Sequence, residues 1–314
     1  MSGMGSIALP TRRESLIMVI ALGVWLCVTA MCIGWRPEHG FMAVLIALLF
    51  FVNGTTRRLV VALLPFALFG ISYDWMNLLP NYEVNPVDIQ GLYEAEKSIF
   101  GIATATGTVT PNEFFAAHTS AFMDFMAGVF YLCWVPVPIL FGLWLYFDGQ
   151  RSVYLHFAIV FLLVNLIGFA GYYIHPAAPP WYVMYNGFDF IPGTHGEVAG
   201  LGRFDEMTGL GIFAGLYGRN ANVFAAVPSL HSAYMVVALW YALRARTGML
   251  TRIVFALIML GIWFTAVYTA HHYLIDVILG ASTAIAGIAL FELGLMRIPS
   301  FSRWIDRYTV YISQ

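Results

Sequence analysis

Charge is what this chain has least of. Asp, Glu, Lys and Arg together make up 10% of its 314 residues, against about 25% in a soluble domain, and Lys97 is the one lysine. With no basic tract and a net charge of −2, the chain lacks the electrostatic footprint that nucleic acid requires. Cysteine is scarce too. Cys27, Cys32 and Cys133 each fall inside an apolar run, which reads as three small buried hydrophobes and excludes a disulfide framework. No internal repeat, low-complexity tract or linker divides the sequence, so one domain over 1–314 is the economical reading. The first apolar run, Leu16 to Ile33, is long enough to cross a bilayer and lacks a small-residue cleavage site. It is expected to remain as a signal anchor.

What fills the place of charge is apolar sequence. The chain is 60% hydrophobic with a mean hydropathy of +0.77, the composition of an all-α, polytopic membrane bundle. Eight spans are predicted, near 15–34, 40–53, 58–79, 120–147, 152–174, 229–245, 251–269 and 273–296, the second being the shortest. If all eight cross, eleven of the 15 Lys and Arg residues lie on the N-terminal side, and Arg36, Lys97, Arg203 and Arg219 lie on the other. The positive-inside rule then makes both termini cytoplasmic. Two stretches do not read as spans. Residues 80–119 mix acidic and aromatic residues and are expected to form short amphipathic helices at the outer interface. Residues 175–228, opening on His175-Pro176-Ala177-Ala178-Pro179-Pro180-Trp181-Tyr182, are expected to be a long capping loop. That length implies a lid or binding role, and the aromatic content argues against disorder.

Polar residues capable of chemistry gather where spans end. In Tyr268-Thr269-Ala270-His271-His272-Tyr273-Leu274-Ile275-Asp276, His272 lies four residues before Asp276. At helical spacing that pair shares a face, so the carboxylate can accept from one ring nitrogen while the other stays a bare lone pair. His231, in Pro228-Ser229-Leu230-His231-Ser232, begins the preceding span, and the predicted topology brings all three to the outer membrane face. A carboxylate at a span is costly and marks function, although a structural clasp between helix ends has the same pattern. A His/His/Asp set also suits zinc, but the chain has no His-x-x-x-His pair and His231 precedes a whole span. His118 and His156 read as interfacial polar residues. A transporter or proton relay is a further alternative; against it, the ionisable residues cluster on one face, with Glu292 the exception.

Pro228-Ser229-x-His231 followed by His272-x-x-x-Asp276 resembles the second and third signatures of the type 2 phosphatidic acid phosphatase superfamily. Phe224 to Ser232, Thr269 to Asp276, Ala178-Pro179-Pro180-Trp181-Tyr182 and Pro111-Asn112-Glu113-Phe114-Phe115 resemble its fungal inositol phosphorylceramide synthase branch, over roughly residues 110–285. The resemblance implies a catalytic core at 111–296 behind accessory spans and an interfacial segment at 15–110. It implies that His272 attacks phosphorus to form a phosphohistidine, that Asp276 orients it, and that His231 is the general acid and base. The implied reaction moves a phospho-headgroup, phosphoinositol from phosphatidylinositol, to ceramide or a related lipid alcohol, without metal or cofactor. Hydrolysis of a lipid phosphate or polyprenyl pyrophosphate is the alternative. The superfamily's first signature, a Lys and an Arg-Pro pair, is absent, and Ala266 stands where an arginine normally precedes the histidine, a loss shared with the synthase branch. Phosphate charge then falls to Arg219, Arg203, His271 or Lys97, and Arg219 is favoured, twelve residues before His231 in the same loop. Ser229, His271, Tyr182 and His175 are expected to contact substrate.

Overall fold

The computed structural model describes residues 9–218 and 222–314; Arg219 lies outside the described residues. Sixteen α-helices carry the described chain. At the N-terminal side stand α1 (Arg12–Cys32), α2 (Pro37–Val52), α3 (Gly54–Ala62) and α4 (Leu64–Trp75). After α5 (Gln90–Phe100) comes a two-stranded hairpin, β1 (Ile102–Thr104) and β2 (Gly107–Val109), and then α6 (Pro111–Ala117). The bundle continues with α7 (Ala121–Leu132), α8 (Pro136–Phe147) and α9 (Arg151–Ile174). The covering segment holds α10 (Pro180–Asn186), α11 (Gly202–Thr208) and α12 (Ile212–Tyr217). The last four are α13 (Leu230–Arg244), α14 (Met249–Tyr268), α15 (Leu274–Ala289) and α16 (Pro299–Ser313).

Local sequence explains many of the starts. Thr11 with Glu14 and Thr110 with Glu113 form capping boxes on α1 and α6, each closing two of the backbone donors a helix start leaves open. Proline opens α2, α4, α6, α8, α10 and α16, where its missing N–H costs nothing. Proline also explains two bends. The stretches expected as spans 58–79 and 120–147 are each broken, by 48° between α3 and α4 and by 41° between α7 and α8. Four helices are by themselves long and apolar enough to cross a membrane, or up to six if each bent pair is one span; α2 and α13 are shorter.

α13 is the central post, packed against α9, α14 and α15. Its apolar side chains join Phe157, Phe161, Val164 and Ile288 in the main core. Close approach is possible because glycines stand at the crossings. A Cβ on Gly280 of α15 would sit 2.0 Å from the Ser229 carbonyl oxygen and 2.2 Å from Ser232 Oγ. By contrast, α1 buries only Thr29 and turns Leu16, Ile17, Val19, Ile20 and Val24 outward, as a helix facing hydrocarbon does. The protein is a multi-pass integral membrane protein.

Three features differ from expectation. The 80–119 segment contains the β hairpin as well as helices, consistent with the Ile/Thr/Val alternation around Gly107. The 175–228 segment, read as loop, includes three short helices. The amphipathic α16 lies beyond the last expected span; it buries Ile305 and Ile312 and ties Tyr308 to the Val61 carbonyl.

Candidate active site

His231 and His272 reach one point from different helices: His231 from the first turn of α13, His272 from the link between α14 and α15. The Nδ1 of His231 lies 3.1 Å from the Nε2 of His272. Behind it, His272 Nδ1 is 3.1 Å from the Ala226 carbonyl oxygen and 3.5 Å from Asp276 Oδ2. A carbonyl oxygen can only accept, so Nδ1 carries the proton and Nε2 presents its lone pair. His231 must then donate from Nδ1. Its ring is held between Tyr131, stacked at a centroid distance of 5.0 Å, and Trp134 at 4.3 Å.

Asp276 is fully buried. Its Oδ2 is more tightly engaged by the Tyr273 N–H, at 2.8 Å, than by the imidazole. The helical face expected from the i to i+4 spacing is not formed, since His272 stands in the link before α15; the carboxylate is still close, but the Ala226 backbone is the nearer partner of the ring. A backbone carbonyl leaves no signature in sequence. The link carrying His272 is tight: the N–H groups of His271 and His272 both donate to the Ala266 carbonyl, at 3.0 and 2.9 Å, and Ala270 is left-handed at φ 61°, a conformation that costs an L-residue about 1–2 kcal/mol.

A cavity of about 80 Å³ opens on the two rings; Trp181, Glu197, Tyr217, Asn222, His271 and Ala226 are among its walls. It shares Tyr73, Tyr172, Tyr217 and His231 with an apolar chamber of about 580 Å³, walled also by Phe69, Trp134, Phe169 and Leu216. His231 thus borders both spaces, whereas His272 borders only the smaller.

The other expected contacts separate into two groups. His271 lines the cavity, with Nδ1 2.9 Å from Thr269 Oγ1 and Nε2 buried without a partner among the described residues. Burial, with the His272 ring beside it, holds its imidazole down to about 3, so it faces a ligand as a neutral group. Ser229 is fully buried; its Oγ has no partner among the described residues, and its N–H donates to the Asp276 carbonyl at 3.0 Å. The structure does not bring Tyr182 or His175 to the rings. The Tyr182 hydroxyl is used within the covering segment, donating to Asp189 O and accepting from Ile191 N, and His175 is half exposed and paired with Asp88 at 3.3 Å. Pro179 and Trp181 are the residues of that motif on the cavity wall.

Two of the cations considered for phosphate are engaged elsewhere. Arg203 Nε is 2.6 Å from Asp124 Oδ1, and Lys97 lies over the Tyr93 ring, 5.4 Å from its centre. Among the described residues no Lys or Arg lines the cavity, and no group of three His, Cys, Asp or Glu is disposed to hold a metal ion. At the opposite end of the bundle, Glu292 is closed by His156 (3.1 Å), Tyr241 (2.7 Å) and Arg244 (2.9 Å).

A helical membrane protein with two opposed imidazoles at the mouth of an apolar chamber is built to act on the polar end of a lipid. Residues 107–290 match the PAP2 superfamily, and the chain belongs to that family. It is 59% identical over 304 residues to a phosphoinositol dihydroceramide synthase of Bacteroides thetaiotaomicron, covering 97% of this chain and 100% of that protein. More distantly, it is 24% identical over 272 residues to the inositol phosphorylceramide synthase catalytic subunit of Saccharomyces cerevisiae, covering 83% of this chain and 65% of that one. With the inositol phosphorylceramide synthase of Candida albicans it shares 27% identity over 170 residues, 53% of this chain and 35% of that one. No solved structure matches the chain.

Proposed function

We propose that the chain is a membrane phosphotransferase that moves phosphoinositol from phosphatidylinositol to ceramide or a related lipid alcohol, through a phosphohistidine on His272. The observation that carries this reading is the bare Nε2 of His272 facing His231 Nδ1 at 3.1 Å, where the smaller cavity meets the apolar chamber. The name of the 59% identical relative supports the same headgroup and acceptor class.

In the first half-reaction phosphorus enters between the two rings. His272 Nε2 forms the N–P bond and the P–O bond to the diacylglycerol oxygen breaks. His231, entering as the imidazolium opposite the phosphodiester anion, gives that oxygen its Nδ1 proton. The phosphorylated ring keeps its Nδ1 proton and is positively charged, a charge the Ala226 carbonyl and the Asp276 carboxylate both favour. In the second half the acceptor hydroxyl passes its proton to His231 as its oxygen bonds to phosphorus and the N–P bond breaks. Because the apolar chamber borders His231, it houses the hydrocarbon of the leaving and the incoming alcohol in turn. His271 forms part of the cavity wall as a neutral group, and Arg219 supplies charge to the phosphoryl oxygens. Residues 111–296 are the catalytic core and 15–110 the accessory spans. With 11 of 15 basic residues on the N-terminal side of an eight-span topology, both termini are cytoplasmic and the site faces the other leaflet.

The deciding experiment gives purified protein headgroup-labelled phosphatidylinositol with and without ceramide. Ceramide-dependent passage of label into a new lipid is the expected result. Water-soluble label released regardless of ceramide identifies a phosphatase instead, and an untouched donor rejects both enzymatic readings.

A further inference from the structure

The rings of His231 and His272 meet at hydrogen-bonding distance, yet nothing in the His272 ring's own contacts sets the backbone from which it projects. That backbone is gripped from outside the bundle. The side-chain amide of Asn112, in the first turn of α6, donates both its hydrogens: one to the Val267 carbonyl at the end of α14, one to the His272 carbonyl, each at 2.9 Å. Glu96, on α5, spreads its two oxygens over consecutive peptide groups at the start of α15, accepting from Leu274 N at 2.9 Å and Ile275 N at 3.1 Å. Glu96 is 0% exposed and Asn112 is 1% exposed. Neither lines the cavity nor touches either reacting imidazole.

The two grips are complementary. Asn112 holds the acceptor side of the nucleophile's peptide unit and Glu96 holds donors immediately after it; Asp276 takes the Tyr273 N–H between them. The first three N–H groups at the head of α15 are therefore all closed by carboxylates, which the positive end of a helix favours. Burying a carboxylate against backbone costs free energy unless it is fully hydrogen-bonded, and a bidentate cap recovers that cost only if α5 sits in one place. Tyr93 of the same helix bonds to Glu113 of α6 at 3.0 Å, which fixes the helices carrying the two grips to each other. The left-handed Ala270 two residues before His272 also persists only where neighbours over-determine the loop.

We propose that the segment between α4 and α7 is a clamp on the nucleophile loop, with Asn112 and Glu96 as positioning residues that set where the His272 ring stands against His231. The functional half of this rests on His272 being the nucleophile; the mechanical half does not.

The test uses the full chain in lipid nanodiscs and compares Asn112→Asp and Glu96→Gln with the parent protein. Asn112→Asp turns two donors into an acceptor facing carbonyls; Glu96→Gln points an amide at an N–H. Asn112→Ser, which removes both donors without adding charge, serves if Asn112→Asp does not fold. Backbone amide exchange over 269–276 is expected to quicken in each variant. Turnover is expected to fall about 100-fold in kcat, the scale of a 1 Å misplacement, with KM for both lipids little changed. Unchanged exchange in both variants overturns the clamp. A lowered unfolding midpoint with kcat per folded molecule intact overturns the positioning role, since that is what plain structural support produces. His272→Ala in the same series separates the two readings: retained turnover there, with quickened exchange in the clamp variants, removes His272 as nucleophile and leaves the clamp standing.

Discussion

The Nδ1 of His231 and the Nε2 of His272 are hydrogen-bonded to each other at 3.1 Å. On the proposed roles, the general acid and the nucleophile occupy one another's reactive atoms until phosphorus displaces the contact. The contact sets His231 with a proton on Nδ1 and His272 with none on Nε2. The assignment is directional, because the Ala226 carbonyl behind His272 leaves that ring only one arrangement of its single proton.

Unequal consequences for the two histidines follow. His272→Ala is expected to lose turnover with every donor, since no phosphoenzyme forms. General acid catalysis is worth about 10²–10⁴-fold, so His231→Ala should still show burst release from a donor with an activated leaving group, then stall as acid-labile, base-stable label on protein. Label accumulating in His272→Ala and not in His231→Ala would reverse the roles; label in no variant, under any quench, would mean direct transfer.

Asp276→Asn is expected to keep the fold, because an amide oxygen can still accept from the Tyr273 N–H that Oδ2 holds at 2.8 Å. What disappears is the negative charge 3.5 Å from the His272 ring. Where the carboxylate is the ring's main orienting partner, as in a serine-protease triad, the amide costs about 10⁴-fold. Here the Ala226 carbonyl retains the ring, so a loss nearer 10²-fold is expected. A kcat loss of four orders would show that Asp276, and not Ala226, sets the orientation.

Gly280→Ala places a methyl into the Ser229 carbonyl and the Ser232 hydroxyl, prising α15 from α13 directly under the site. The expected cost is about 1–3 kcal/mol, read as a lower thermal midpoint together with lost activity. Gly23→Ala on the lipid-facing α1, where a Cβ meets nothing within 4 Å, is the control and should be neutral or slightly stabilising. Equal midpoints for the two variants would contradict the tight crossing.

His271 makes the fold acid-sensitive. Its folded-state value near 3 lies below the ordinary value of 6.5, so between those limits the unfolded chain takes up a proton that the folded protein refuses. Stability is therefore complete above about 6.5 and is lost as pH falls towards 3, by at most about 1.4 kcal/mol per pH unit from this group. Thermal midpoints measured from pH 7 to pH 4 should fall less steeply for His271→Gln than for the parent protein. Parallel curves would remove His271 as the source.

Orientation is checked by reporters. One fused after Gln314 should read cytoplasmic and one inserted near Gly193 external; both on one side would defeat the eight-span arrangement.

The long apolar runs and the scarcity of charge were enough to read a helical membrane bundle, and the spacing of His272 and Asp276 was enough to bring them near one another, although only Asp276 is helical and His272 stands in the link before α15. Those are one-dimensional properties: hydrophobic length and the 3.6-residue turn. The amphipathic α16 was also readable in principle, since Phe301, Ile305, Tyr308 and Ile312 recur at three- and four-residue spacing, but its polar face and modest length set it apart from the spans. Tyr182 shows the converse. Its motif marked the right segment, while the hydroxyl turned inward to brace Asp189 and Ile191, a choice made by rotamer and not by residue type.

The sequence by itself determined that long apolar helices exist and which titratable residues stand near their ends. Only the tertiary structure decided which atoms meet. The 3.1 Å contact between His231 and His272 depends on α13 and α15 crossing closely at Gly280. The tautomer depends on a carbonyl at Ala226, and the loop depends on Asn112 and Glu96, 160 and 178 residues away from the backbone groups they hold. Backbone acceptors and long-range grips have no periodicity in sequence, because they are set by packing of whole helices and not by the neighbours of any one residue.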